Sequence, residues 1–226
     1  MLNELLWIGL TLIIFSIVLL AYKFFGKAGL YAWMAVAIIL ANIQVTKMIT
    51  IFGMVTAMGN IIYGTTFLTT DILNEKYGAK EARKGVWIGF FMLIATTIMM
   101  QITLKFSPHA SDIADPALQT IFGILPRIAF ASLLAYGVSQ AHDVWLYASM
   151  KRNLKGKKLW LRNNLSTLAS QLLDNMVFTL VAFWGVFPWS IILQIFVTSY
   201  ILKFGVALLD TPFLYLARKM KVPDDK

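Results

Sequence analysis

Hydrophobic positions along this chain come in long unbroken runs, not in the alternation of a half-buried strand or the single stripe of a surface helix. A membrane-crossing helix needs about 20 largely apolar residues. Seven stretches qualify: Leu5–Tyr22, Leu30–Ile49, Val55–Glu75, Val86–Phe106, Ile124–Met150, Leu165–Val186 and Trp189–Leu216. The pattern predicts an all-α integral membrane protein, a compact bundle of about seven transmembrane helices. No linker is long enough to divide residues 1–226, so one helical domain is expected. The first run holds only Thr11 and Ser16 as polar interruptions, which suggests a peripheral, lipid-facing helix over 1–24 beside a six-helix core over 30–216. Five prolines fall in loops or at helix starts; Pro212 lies inside the last run and predicts a kink or a break there.

Composition agrees with this reading. Hydrophobic residues make up 59% of the 226 residues and charged residues only 14%. That is too little polar surface to cover a soluble fold of this size. The net charge of +9 raises nucleic acid as a partner, but the basic residues are interleaved with apolar runs and make no single patch. Their placement reads instead as membrane topology. With the N-terminus outside, the inward segments hold Lys23 and Lys27, four basic residues between 76 and 84, six between 151 and 162, and four between 218 and 226. The outward loops hold none. The positive-inside rule therefore gives seven spans, N-terminus out and C-terminus in. The first run is preceded by Asn3 and Glu4 and by no basic residue, so it reads as a retained span, not a signal peptide. There is no cysteine and there are two histidines. Thiolate and histidine metal sites are not expected, and no cofactor is called for.

Candidate chemistry comes from polar residues placed where lipid should make them costly. A charge near mid-bilayer normally faces the bundle interior and finds a partner. The second run carries Asn42 and Gln44; the third, a string of threonines with Asp71 and Glu75; the fifth, Ser139, Gln140 and Asp143; the sixth, Ser170, Gln171, Asp174 and Asn175; the seventh, Lys203. At ~1.5 Å of rise per residue, most of these fall within about 10 Å of the midplane, where carrier substrate sites lie. Ser139–Asp143 and Ser170–Asp174 both read S-Q-x-x-D, which puts Gln and Asp on one helix face. Two adjacent antiparallel spans could thus offer paired amides and carboxylates to one cavity. Each serine or threonine alone more often bonds a backbone carbonyl of its own helix. Asp174 with Lys203 reads equally as a structural ion pair, and Glu75 with Lys76 as a solvated interfacial cluster. Arg127, at the outer rim, is a candidate gate that would pair with an acid.

Several of these segments resemble one family. The stretch from Thr66 to Gly78 (TFLTTDILNEKYG), the run from Arg127 to Tyr136 followed by Ser139, Gln140 and Asp143, the segment Leu159–Thr167 with Ser170, Gln171 and Asp174, and Lys203 together resemble the queuosine precursor transporters, also called vitamin uptake transporters. The resemblance covers roughly 30–215. It implies uptake of 7-cyano-7-deazaguanine and 7-aminomethyl-7-deazaguanine across the plasma (inner) membrane of a bacterium. For such a ring the polar set itself offers Asn42, Gln44, Phe67, Asp71, Gln140, Asp143, Gln171, Asp174 and Lys203 as expected substrate contacts, and Arg127 and Glu75 as gating or structural ion-pair residues. Tyr63, Tyr136 and Tyr200 join Phe67 as aromatic surfaces for a flat ring. The expected partners are this small molecule, the bilayer and, compatibly, further copies of the chain. Two other readings stand beside it: a substrate-binding subunit of a multi-chain energised transporter, whose ATPase would be another chain because no P-loop is present here, and a membrane enzyme, against which stands the lack of any nucleophile–base set.

Overall fold

The computed structural model describes the backbone of residues 2–153 and 159–223; the side chains of 143, 144, 147, 148, 150–167, 207 and 208 lie outside that description. The elements run α1 (Leu2–Gln44), β1 (Met48–Ile51), β2 (Met54–Ala57), α2 (Asn60–Tyr77), α3 (Ala79–Thr103), α4 (Asp115–Gly123), α5 (Leu125–Asn153), α6 (Leu159–Phe183) and α7 (Trp189–Lys219).

Helix α1 spans 43 residues, about 64 Å of helix, or twice an apolar bilayer thickness. It is two spans joined at Gly26, whose φ of 57° and ψ of −138° are not helical and favour a residue without Cβ. Residues eight apart in a straight helix are about 12 Å apart. Here a Cβ on Gly29 would lie 2.2 Å from the Ala21 carbonyl oxygen, so the chain doubles back. The far ends confirm the reversal: the Asn3 amide donates to the Thr50 carbonyl at 2.9 Å, and the Phe52 N–H donates to Glu4 Oε1 at 2.9 Å. With its two arms counted separately and the short α4 set aside, seven helical segments among the described residues match the seven expected runs.

The first arm is not merely a lipid-facing rod. Trp7, Thr11, Ile14, Phe15, Val18 and Tyr22 are buried at the spacing of one helix face, and Phe15 meets Phe213 of α7 with ring centroids 5.0 Å apart. Its other face, including Leu5, Leu6, Ile13 and Phe25, is exposed, as are Phe91, Ile98, Leu193 and Ile201 elsewhere. Such an apolar exterior suits lipid. Inside the bundle, α2 and α7 approach closely where a Cβ on Gly64 would strike Val206 at 2.4 Å.

The second run ends as helix at Gln44, five residues short of the expected Ile49. An antiparallel hairpin follows, pairing Met48 with Ala57 and Ile51 with Met54, so the otherwise all-α fold carries two short strands. Its β-branched residues Ile49, Ile51 and Val55 suit a strand. The two-residue loop has positive φ at both Phe52 (52°) and Gly53 (77°), the geometry that matches the twist of a tight hairpin. The last helix runs through Pro212 without a break. The loop between α3 and α5 folds in part as α4, with Pro116 in its first turn.

Candidate functional site

Helix α2 supplies one wall of the site, and its sequence explains how a span so rich in hydroxyls sits in lipid. Thr65, Thr66, Thr69 and Thr70 each return a hydrogen bond to a carbonyl three or four residues back, at 2.6–2.8 Å. The hydroxyls are thereby satisfied within the helix. Trp33 of α1 adds an indole N–H to Thr65 Oγ1 at 3.0 Å.

Two cavities meet at the middle of the bundle. The larger, about 650 Å³, is lined from α2 by Tyr63, Thr66, Phe67, Thr70 and Asp71, from α3 by Arg83, from α5 by Tyr136, Ser139 and Gln140, from α6 by Ser170, Gln171 and Asp174, and from α7 by Asp210 and Thr211. Its volume lies within the range of about 300–1,000 Å³ usual for small-molecule sites. Asp71, Arg83, Gln140 and Thr211 are exposed, so the cavity is open at the end where α2 meets α3. The smaller, about 40 Å³, is a side pocket towards the hairpin, lined by Asn42, Asn60, Ser132, Phe178 and Lys203; it has room for a few water-sized groups. Tyr63 and Asp174 line both.

Asp174 and Lys203 form the junction. Lys203 Nζ lies 3.1 Å from Asp174 Oδ2 and 5.1 Å from the centre of the Tyr63 ring, and Lys203 is only 8% exposed. An ammonium so deeply placed needs such partners. Tyr63 in turn stands edge-on to Phe67 at 5.7 Å and 89°, so an aromatic corner faces the larger cavity. The hydrogen bonds around the side pocket are mostly closed on themselves. Ser132 donates to Asn42 Oδ1 at 2.7 Å, Asn42 donates to the Ile38 carbonyl at 2.8 Å, and Asn60 donates to Ser199 Oγ at 2.8 Å.

Of the residues expected from sequence, Phe67, Asp71, Gln140, Gln171 and Asp174 line the larger cavity, and Asn42 and Lys203 line the side pocket. The two S-Q pairs do meet in one cavity. Gln44 lines neither. Two residues on from Asn42, it points away round the helix, and its buried Oε1 has no hydrogen-bond partner. Tyr200 lines neither as well. The side chain of Asp143 lies outside the described residues. Among the described residues Arg127 meets no acid. Its guanidinium donates to the carbonyls of Val181, at 2.8 Å, and Trp184. Helix α6 ends there, and its last carbonyls lack helical donors. Glu75 pairs with Arg218, 3.4 Å away and well exposed, instead of Lys76. Three lining residues are not among those expected from sequence: Asp210, buried at 6% exposure and two residues from Pro212, the expected helix breaker; Arg83, one of the basic residues that set topology; and Ser132. Among the described residues no group of three acidic or histidine side chains could hold a metal.

The family model described as "Putative vitamin uptake transporter" matches residues 57–217, more than half of the chain. The chain is 49% identical over 227 residues to the "Probable queuosine precursor transporter" of Bacillus subtilis, covering 100% of this chain and 99% of that protein. It is 28% identical over 144 residues to the "Queuosine precursor transporter" of Escherichia coli, covering 64% of this chain and 62% of that one. No solved structure matches it.

Proposed function

The chain belongs to the vitamin uptake transporter family; it is a multi-pass membrane transporter and not an enzyme, and from that premise we propose that it imports a queuosine precursor, 7-cyano-7-deazaguanine or 7-aminomethyl-7-deazaguanine, across the bacterial inner membrane into the cytoplasm. The observation that carries this reading is the cavity of about 650 Å³ headed by Asp174 and Tyr63. A deazaguanine presents two adjacent N–H donors on one edge, which a carboxylate accepts in a charge-assisted pair. Asp71, Asp174 and Asp210 are the carboxylates that line the cavity, and Gln140 and Gln171 can donate to or accept from the remaining ring atoms. Phe67 and Tyr63 offer ring faces and edges for a flat heterocycle.

The distribution of basic residues supports an N-terminus outside and a cytoplasmic C-terminus. On that orientation the larger cavity opens to the cytoplasm, and the hairpin covers the outer end. The test is uptake of labelled precursor by cells lacking their own carrier and expressing this chain. Uptake is expected for the unaltered protein and a fall of about a hundredfold for Asp174→Asn, corresponding to roughly 2.7 kcal/mol. Normal uptake by an Asp174→Asn, Gln171→Ala double variant at equal expression would remove the site from the proposal.

A further inference from the structure

The side pocket has a polarity that its size makes selective. It is the volume of a two- or three-atom group, and it adjoins the larger cavity at Asp174 and Tyr63. Most of its polar hydrogens are already committed. The Asn42 amide is given to its own helix, the Ser132 hydroxyl to Asn42, and the Asn60 amide to Ser199 and the Ala57 carbonyl. Lys203 is different: an ammonium has three N–H donors, and one is directed at Asp174.

We infer that this pocket receives the substituent on carbon 7 of the deazaguanine and selects a short, uncharged group tipped with a hydrogen-bond acceptor, so that the nitrile-bearing precursor is bound in preference to the aminomethyl one. The inference rests on the carrier reading above. A nitrile nitrogen accepts an N–H from Lys203 and leaves the Lys203–Asp174 pair intact. An aminomethyl group arrives as a second ammonium beside Lys203, and one carboxylate neutralises only one of the two in a poorly hydrated site. This pose leaves the N–H edge of the ring, on its opposite side, directed down the larger cavity towards Asp71.

Binding to purified protein in lipid nanodiscs tests this, with 7-cyano-7-deazaguanine, 7-aminomethyl-7-deazaguanine and unsubstituted 7-deazaguanine as probes. The cyano compound is expected to bind at least tenfold more tightly than the aminomethyl compound. Lys203→Met removes the donor and frees Asp174, so the order of the two should invert. Ser132→Val fills the pocket without touching the ion pair; it should weaken the cyano compound by about tenfold and the unsubstituted ring least. Affinities for the three probes within twofold of one another, or a preference for aminomethyl in the unaltered protein, would overturn the selection while leaving the carrier reading in place. Failure of all three to bind would overturn both.

Discussion

The two ends of the bundle are built on opposite principles. At the hairpin end, polar contacts close the structure. Asn3 and Glu4 hold the loop of the hairpin, Gln194 Oε1 accepts the Val55 N–H at 3.1 Å, Thr198 donates to the Val55 carbonyl at 2.9 Å, and Arg127 ties down the end of α6. At the other end, Asp71 and Arg83 stand exposed at the mouth of the larger cavity, and Asp210 is buried in its wall. The hairpin end uses its polar groups on itself; the other end, beside surface pairs such as Glu75 with Arg218, also presents polar groups to whatever enters. For the carrier proposed above, alternating its access between two faces, such an asymmetry is what one resting state would show. Here the state is closed beneath the hairpin and open beyond Asp174.

Access measurements give the largest expected effect. The chain has no cysteine, so single cysteines report cleanly. On the proposed orientation, Thr211→Cys in the larger cavity should react to completion with an impermeant maleimide applied from the cytoplasmic face and stay unmodified from outside. Asn60→Cys, beneath the hairpin, should be protected from both sides. Rapid modification of Asn60→Cys from outside, without substrate, contradicts a closed hairpin end. Next in size is release of that end. Glu4→Ala with Gln194→Ala leaves the Phe52 and Val55 N–H groups without their acceptors, at about 1 kcal/mol each, and should make Asn60→Cys reactive from outside. If its protection survives both changes, the hairpin is not what closes the outer end.

How much of this asymmetry was written in the sequence follows from what each feature costs in lipid. Long apolar runs and stranded charges were legible because the bilayer penalises alternatives by several kcal/mol per buried group. Hence the spans, the Asp174–Lys203 pairing as one reading, and the meeting of Ser139-Gln140 with Ser170-Gln171 could all be anticipated. The hairpin could not. Residues 48–57 are as apolar as the span before them, and the loop is Phe52-Gly53, where Asn-Gly would have signalled a tight turn. Backbone partners were equally hidden. Arg127 found carbonyls instead of an acid because a helix end leaves carbonyls unsatisfied wherever it stops, and hydropathy does not locate that stop to the residue. Asp210 was masked by an expected break at Pro212 that the helix does not make.

Arg127→Ala comes next in expected size. Two charge-assisted hydrogen bonds to the end of α6 are lost, for about 2 kcal/mol in all. The thermal midpoint in detergent should fall while affinity for the precursor changes little, since Arg127 lines neither cavity. A large loss of affinity at unchanged stability would make Arg127 part of the transport path and blur the distinction between a closing end and a binding end.

The smallest effect sharpens the comparison at the open end, outside the spans. Glu81, in the first turn of α3, accepts from the Tyr31 hydroxyl and lies 3.2 Å from Lys27 Nζ. These two, the tyrosine hydroxyl first, hold its carboxyl below the ordinary range. A carboxyl whose folded value is depressed stabilises the fold fully above its unfolded value of about 4.3, and the contribution is lost as pH falls through the folded value. Glu81→Gln should therefore lower the thermal midpoint slightly at pH 7, and the gap from the unaltered protein should close as pH falls from about 4.3 through the lower folded value. The gap should also shrink at high salt, because the group is solvated. A gap that stays constant across that pH range would mean that the clasp joining α1 and α3 works by shape and neutral hydrogen bonding. The open end would then be held as the hairpin end is, by polar groups turned upon each other.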